Sequence, residues 1–193
     1  MHTLDVLPTE RASMRVGLRP IAESDAQPVF TIWSDPAVME FYDVAPFDDL
    51  AQSRALIASM LAEERLGNGI RWAIVLKETG KLIGTCGFRI DHHARSATIG
   101  FELARSHWRR GLAREALAQC LDHAYGAWKL NRIQATTDLG NAASIGLLES
   151  LGFRQEGVMR QWGYWKGSFH DVRLFAIVRG DYLSAGQTRP AMP

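Results

Sequence analysis

The residues best suited to chemistry are gathered in His107-Trp108-Arg109-Arg110-Gly111-Leu112-Ala113-Arg114-Glu115-Ala116, just after Thr98-Ile99-Gly100-Phe101-Glu102-Leu103. The order predicts a strand, a short arginine-rich turn around a glycine, and an amphipathic helix. That sequence of elements builds an anion site. The first N–H groups of a helix have no intrahelical partner, and the macrodipole makes that end positive. Gly111 lets the main chain approach a ligand closely, while Arg109, Arg110 and Arg114 add full charges to the partial ones. A pyrophosphate suits such a site.

The surrounding elements follow from periodicity and punctuation. A first strand is expected over 15–19. Ser24 with Gln27 fits a capping box opening a short helix toward Trp33, with Pro28 in its first turn. Asp35-Pro36 ends that helix, and the stretch to Phe47 reads as loop. Asp48 or Asp49 then caps a helix with an apolar stripe of Leu50, Ile57 and Leu61, stopped by Gly67. Strands are expected over 70–77, 82–90 and 97–103, joined by a tight hairpin at Thr79-Gly80 and a longer one over 91–96. The helix over 112–125 buries Ala113, Ala116, Leu117, Cys120, Leu121 and Ala124 at three- and four-residue spacing. A strand over 132–138, a helix from Asn141 or Ala142 to Leu151, and closing strands over 153–161 and 171–179 complete the order. A single α+β domain over 14–183 with a mixed sheet satisfies it. Residues 1–13 and 184–193 read as flexible termini.

Composition sets the outer bounds. The 193 residues are 47% hydrophobic, enough for one sizeable core. Lysine plus arginine (22) nearly balances aspartate plus glutamate (21), so no global field draws the chain to nucleic acid or a membrane surface. Cys86 and Cys120 lack metal or redox spacing and read as small buried hydrophobes of a reducing compartment. Asp5 and Glu10 interrupt the N-terminus, so no signal peptide is expected, and no apolar run approaches the roughly 20 residues that span a bilayer. The expectation is a soluble, cytoplasmic protein. His92 and His93 lack further ligands at metal spacing and read as surface residues. Gly80-Lys81 is followed by Leu82 and lacks the upstream glycine of a P-loop, which sets a nucleotide hydrolase aside.

Gly100-Phe101-Glu102-Leu103, the Arg-Arg-Gly-Leu-Ala turn, Leu130-Asn131-Arg132-Ile133 and Asn141 to Phe153 together resemble the Gcn5-related N-acetyltransferases (GNAT). The likeness is closer to the RimJ/RimL-like branch, which acetylates N-terminal amines of ribosomal and other proteins. It covers roughly 18–182. Three positions depart from the family pattern. Trp108 stands where the phosphate motif usually opens with glutamine or arginine. Thr98 replaces an additional strand acid, which puts more weight on Glu102. The helix after the crossover strand offers Ser144, Leu147 and Leu148 where many relatives carry a tyrosine.

The resemblance implies a mostly antiparallel seven-stranded sheet with helices on both faces and two central parallel strands splayed apart. It implies acetyl-CoA as donor, no metal, and a primary amine as acceptor. The pantetheine arm would lie in the splay, paired with the main chain of Phe101 and Leu103, while Arg109, Arg110, Gly111, Leu112, Ala113 and Arg114 hold the phosphates. An N–H of the strand would face the thioester oxygen, an effect typically worth ~3 kcal/mol. Glu102 is the expected base and Ser144 the expected donor to the leaving thiolate, with Asn141 fixing the pantetheine arm. Helix capping explains Asn141 and Ser144 equally well. A partner arginine such as Arg105 would make Glu102 structural instead.

Trp33, Met39 and Tyr42 on one side and Trp162 and Tyr164 on the other are expected to contact the acceptor, or else to be core or dimer contacts. His170-Asp171 reads as an ion pair before the last strand, with a structural role. The acceptor implied is a protein or peptide N-terminal α-amine. A small free amine (polyamine, amino acid or aminoglycoside) is the alternative, for which Glu40, Asp43, Asp48 and Asp49 would supply an acidic cleft. A non-catalytic acyl-CoA sensor is a third reading. A homodimer is open to the chain by analogy alone.

Overall fold

A computed structural model of the protein describes residues 14–188, with side chains placed over 14–184; the expected leader and the last five residues lie outside them. Seven strands form one sheet: β1 (Val16–Pro20), β2 (Gly69–Leu76), β3 (Lys81–Asp91), β4 (Ser96–Leu103), β5 (Arg132–Asp138), β6 (Arg154–Trp165) and β7 (Ser168–Val178). Their order is β1-β2-β3-β4-β5-β7-β6, and every neighbouring pair is antiparallel except β4–β5. The helices are α1 (Ala26–Trp33), α2 (Pro36–Met39), α3 (Leu50–Leu66), α4 (Leu112–Gly126), α5 (Ala142–Ser150) and α6 (Arg179–Thr188). The α+β architecture is the expected one.

Strand alternation divides the molecule into two cores. Trp72, Cys86 and Ile99 bury one sheet face against Leu117, Cys120 and Leu121 of α4, with Leu148 of α5 in the same cluster. The opposite side of the molecule carries a second cluster, built on Val29 and Ile32 of α1, Met39 of α2 and Ile57 of α3. The intervening strand positions, Arg71, Thr85 and Glu102, are the polar ones, and they are left between the two apolar layers.

Several local readings are corrected. Ser24 and Gln27 do not form the entry cap of the first helix. A single 3₁₀ turn over Glu23–Asp25 leads into α1, and the Asp25 carboxylate takes the Ala22 N–H at 2.9 Å and both Arg19 Nη groups at 2.7 Å. The stretch after Trp33 is not wholly loop, because Asp35 accepts from Ala37 N at 2.9 Å and starts α2, with Pro36 at its first position. Asp49 caps α3, while Gln52 returns the reciprocal bonds to Asp48 N and Asp49 N. The last two strands are longer than expected and meet in a two-residue turn at Lys166-Gly167, both at positive φ, as a tight hairpin prefers. Residues 184–188 are not a loose tail but the last part of α6.

The central parallel pair explains the cavity below. β4 and β5 are registered only at Ser96–Arg132, Ala97–Ile133 and Thr98–Gln134. Gln134 Nε2 still donates to Thr98 Oγ1 at 3.3 Å, and beyond that point the strands diverge. β4 runs on to Leu103 and β5 to Asp138 without each other.

Candidate active site

The divergence opens a cavity of about 1110 Å³, walled by β4, β5, the start of α4, the start of α5, α3 and the segment after α2. Alternation along β4 decides which main-chain groups face it. Ala104 donates to Ile83 O of β3 at 2.8 Å, so residues of that parity turn toward β3. Phe101 and Leu103 have the other parity and face the gap. Their carbonyls are reached by Tyr42 Oη at 3.1 Å and by Trp108 Nε1 at 2.7 Å, respectively.

The second bond carries more than local packing. Trp108, the position that departs from the family motif, ties the arginine turn to the end of β4 through its indole. In that turn Arg109 and Gly111 both take left-handed φ, 57° and 75°. Gly111 is the N-cap of α4 with no side-chain cap, so the first-turn amides keep their donor capacity. Arg15 braces the turn from below. Its Nη2 donates to Arg110 O at 2.8 Å and its Nε to Glu115 Oε1 at 2.7 Å. Arg109, Gly111, Leu112, Ala113 and Arg114 line the cavity, whereas the Arg110 side chain stands outside its wall. Burial and the Arg110 charge both lower the proton affinity of His107, which also lines the cavity at this end. The arrangement fits a diphosphate: unpaired amides, a left-handed turn and guanidinium groups converge at one mouth.

Glu102 lines the same gap, with its side chain 2% exposed. Its Oε2 accepts from Arg71 Nη2 and from Tyr42 Oη at 2.9 Å; its Oε1 accepts from Thr85 Oγ1 and from Trp33 Nε1 at 3.3 Å. Thr85 Oγ1 in turn accepts from Arg71 Nε at 2.6 Å. The arginine partner is therefore Arg71 and not Arg105, which sits on an exposed 3₁₀ turn. Burial pulls the Arg71 guanidinium down, but the Glu102 charge together with Tyr42 and Cys86 outweighs it and holds Arg71 above its ordinary value. Burial and the Glu102 charge push the Tyr42 hydroxyl well above its ordinary value, so it stays a donor.

Three expected acceptor contacts do not line the cavity. Met39 is fully buried and Trp33 nearly so, both in the core shared by α1, α2 and α3, and neither lines the cavity. The Trp33 ring packs at a tilt 5.0–5.1 Å from Tyr42 and Phe47, and its N–H serves Glu102. Tyr42 does line the cavity, as does Trp162, which is 59% exposed at its edge. Tyr164 is exposed too, but it packs on Phe169 away from the wall. Asn141 Oδ1 accepts Ser144 N at 3.0 Å, the cap contact, and both residues line the cavity.

Other expectations resolve simply. His170 is not paired with Asp171. Its ring stacks on Trp165 at 4.2 Å, and Asp171 instead accepts Gln161 N at 2.7 Å where β6 bulges. His123 is buried beside Trp72 and Trp128. No group of residues able to hold a metal occurs among the described residues, nor a helix long and apolar enough to cross a membrane. Arg71 and Thr85 were not anticipated. The available signal was a lone arginine in the apolar run Ile70-Arg71-Trp72-Ala73-Ile74 and a lone hydroxyl in Ile83-Gly84-Thr85-Cys86.

Comparison with known proteins agrees with this geometry. The model of the acetyltransferase (GNAT) domain matches residues 15–154. An uncharacterized N-acetyltransferase, p20 of Bacillus licheniformis, is 37% identical over 180 residues, covering 93% of this chain and 99% of that protein. RimJ of Mycobacterium smegmatis, solved in complex with CoA-disulfide, superposes with a TM-score of 0.77 at 28% identity over 89% of both chains. Spermidine N-acetyltransferase of Vibrio cholerae, solved with CoA and spermine, shares the fold at a TM-score of 0.76 and 21% identity, over 88% of this chain and 98% of that one. With the splayed β4–β5 pair and the left-handed turn at the start of α4, these matches identify the chain as a member of the GNAT family, an N-acetyltransferase whose acetyl donor is acetyl-CoA.

Proposed function

We propose that the acceptor is the α-amine at the N-terminus of a protein or peptide. The observation that carries this reading is the Arg71–Glu102 pair. Both Glu102 oxygens already take two donors each, so the carboxylate offers little free lone-pair capacity to a further proton donor and suits an acceptor that needs little help. An α-amine, with a reference pKa of about 8, is partly neutral near pH 7 and needs little help; a polyamine or lysine amine near 10.4 needs far more. The cavity of about 1110 Å³ also presents Phe41, Tyr42, Trp162 and Trp165 to an acceptor.

In this reading the diphosphate of acetyl-CoA lies against Arg109, Gly111, Leu112, Ala113 and Arg114, with Arg110 adding charge from outside the wall. The Phe101 and Leu103 main chain and the Asn141 side chain hold the pantetheine arm. The amine nitrogen attacks the thioester carbon and the C–S bond breaks, the leaving thiolate accepting a hydrogen bond from the Ser144 hydroxyl and taking its proton from water. The proton lost by the amine passes to Glu102, directly or through water. Fixing both reactants in one gap contributes the orientation term.

One observation favours a second reading. Glu40, Asp43 and Glu63 also line the cavity and would suit a small polycationic amine such as spermidine, the acceptor in the Vibrio cholerae relative's name. Thiol release from acetyl-CoA, measured with peptides beginning in Ala, Ser or Met beside spermidine, free amino acids and an aminoglycoside, decides between them. Turnover at least tenfold higher with a peptide supports the α-amine. Faster turnover with spermidine overturns it. Acetyl-CoA binding without any turnover would favour a sensor. The bacterial relatives fit a cytoplasmic enzyme, and fractionation of cells would test that location.

A further inference from the structure

Arg71, Gly87 and Gly100 stand directly opposite one another across β2, β3 and β4. The arginine side chain lies along this row. A β-carbon at Gly87 would stand 3.0 Å from Arg71 Cδ, and one at Gly100 would stand 3.1 Å from Arg71 Nη1. Two consecutive residues without side chains thus form the bed on which Arg71 crosses two strands. From there it reaches Glu102 two rows along on the same sheet face, where Thr85 and Glu102 are paired. Its Nη2 binds one carboxylate oxygen directly, and its Nε orients the Thr85 hydroxyl onto the other. Only 15% of the Arg71 side chain is exposed, and that side forms part of the cavity wall.

We propose that Arg71 is a positioning residue for acetyl transfer, which fixes the orientation and the charged state of Glu102 through a two-point grip made possible by Gly87 and Gly100. The proposal rests on Glu102 being the carboxylate that serves the amine. The charged or titratable groups facing Glu102 are Arg71 from β2 and Tyr42 from the segment after α2. Trp33 of α1 and Thr85 of β3 add neutral donors. Arg71 is the only cation of this set. Removing it leaves a buried carboxylate without a counter-charge, which then holds its proton more tightly.

The test compares wild type, Arg71→Met, Arg71→Lys, Glu102→Gln and the Arg71→Met/Glu102→Gln pair. Thiol release is followed from pH 5 to 9 with a Ser-initiated peptide and with spermidine, and CoA binding is followed by calorimetry. Arg71→Met is expected to lower kcat at least tenfold while the Kd for CoA stays within twofold. The low-pH fall of kcat/KM should begin about one pH unit higher than in wild type. Arg71→Lys keeps the charge but not the fork, so it should restore the pH profile while kcat stays several-fold low. The double variant should be no slower than Glu102→Gln alone.

An unmoved pH profile in Arg71→Met, or additive losses in the double variant, overturns the positioning role while the Glu102 reading stands. Wild-type turnover in Glu102→Gln overturns that reading, and this proposal with it. Should Arg71→Met fail to fold and bind CoA, Arg71→Lys decides: a reduced kcat with unchanged CoA affinity supports the role, and an unchanged kcat overturns it.

Discussion

Gly100 of β4 leaves open the volume that the Arg71 guanidinium of β2 occupies, with Nη1 3.1 Å from where a β-carbon would be. Gly87, beside it, is packed against backbone as well as Arg71 Cδ, since a β-carbon there would be 2.0 Å from Ile70 O and 2.8 Å from Arg71 Cα. The two glycines should therefore respond differently to alanine. Gly87→Ala must shift main chain in the middle of the sheet and is expected to cost about 2–3 kcal/mol in urea unfolding. Gly100→Ala meets only the far end of a flexible side chain, so stability should change by less than ~1 kcal/mol. Its turnover should nevertheless fall, because the guanidinium is displaced from Glu102. Equal destabilisation by both would contradict the packing.

Trp108 joins the phosphate turn to the cavity strand by one hydrogen bond, indole to Leu103 O at 2.7 Å. Trp108→Phe keeps an aromatic ring and deletes that bond. A hydrogen bond of this kind contributes about 1–1.5 kcal/mol, so CoA affinity should weaken roughly tenfold, with little change in the KM of the acceptor. Calorimetry with CoA reads it; an unchanged Kd would mean the turn holds its shape without the tie.

Asp25 gives a pH-dependent contribution to stability remote from the cavity. Burial raises its proton affinity, but Arg19 and the Ala22 N–H together outweigh burial and hold the carboxyl below its ordinary range. A group lowered in the folded state stabilises the fold above its unfolded value, near 3.9, and that contribution disappears as the pH falls through the lower folded value. Asp25→Ala should cost about 1–2 kcal/mol at pH 7, discounted because the Arg19 side chain is 41% exposed. The gap between variant and wild type should narrow below about pH 4. Urea titrations at pH 7, 4 and 3 measure it, and a constant gap would rule out the ionised pair as the source.

Asn141 has two separable uses. Its Oδ1 caps α5, and the residue also lines the cavity that the pantetheine arm is proposed to fill. Asn141→Ala should lose about 1 kcal/mol of stability, whereas Asn141→Ser keeps a capping oxygen and should stay within about 0.5 kcal/mol of wild type. Both should weaken CoA binding, because neither retains the amide donor. Wild-type CoA affinity in Asn141→Ser would confine this residue to capping.

Much of the fold was readable from local pattern. The seven strands, the α3 cap and the left-handed Gly67 that ends that helix, and the amphipathic α4 all follow from periodicity and turn residues, which act over a few positions. Errors arose where tertiary contact decided. Asp25 was drawn into pairing with Arg19, so the first helix is entered through a 3₁₀ turn and not through Ser24. Pro36 both ended one helix and began another, because Asp35 could cap it. The same division holds at the cavity. The arginine turn and Glu102 lie in one contiguous stretch, so their juxtaposition is visible along the chain. Arg71 and Thr85 reach Glu102 only through strand pairing, at separations of 31 and 17 residues, and no spacing rule links them. Trp33 and Met39 look like lid aromatics and thioethers until the burial of α1 and α2 against α3 is known.

The three-residue seam between β4 and β5 has a mechanical consequence. Eight residue pairs join β3 to β4, but only three join the four-strand half of the molecule to the three-strand half through the sheet. A strand-like ligand laid along the far part of that seam supplies bonds that no neighbouring strand provides, and so acts as a removable spar between the halves. At a hundredfold excess over its Kd such a ligand adds about 2.7 kcal/mol to the folded state. A loaded enzyme is therefore expected to resist unfolding more than an empty one, and each departure of spent carrier to remove that support.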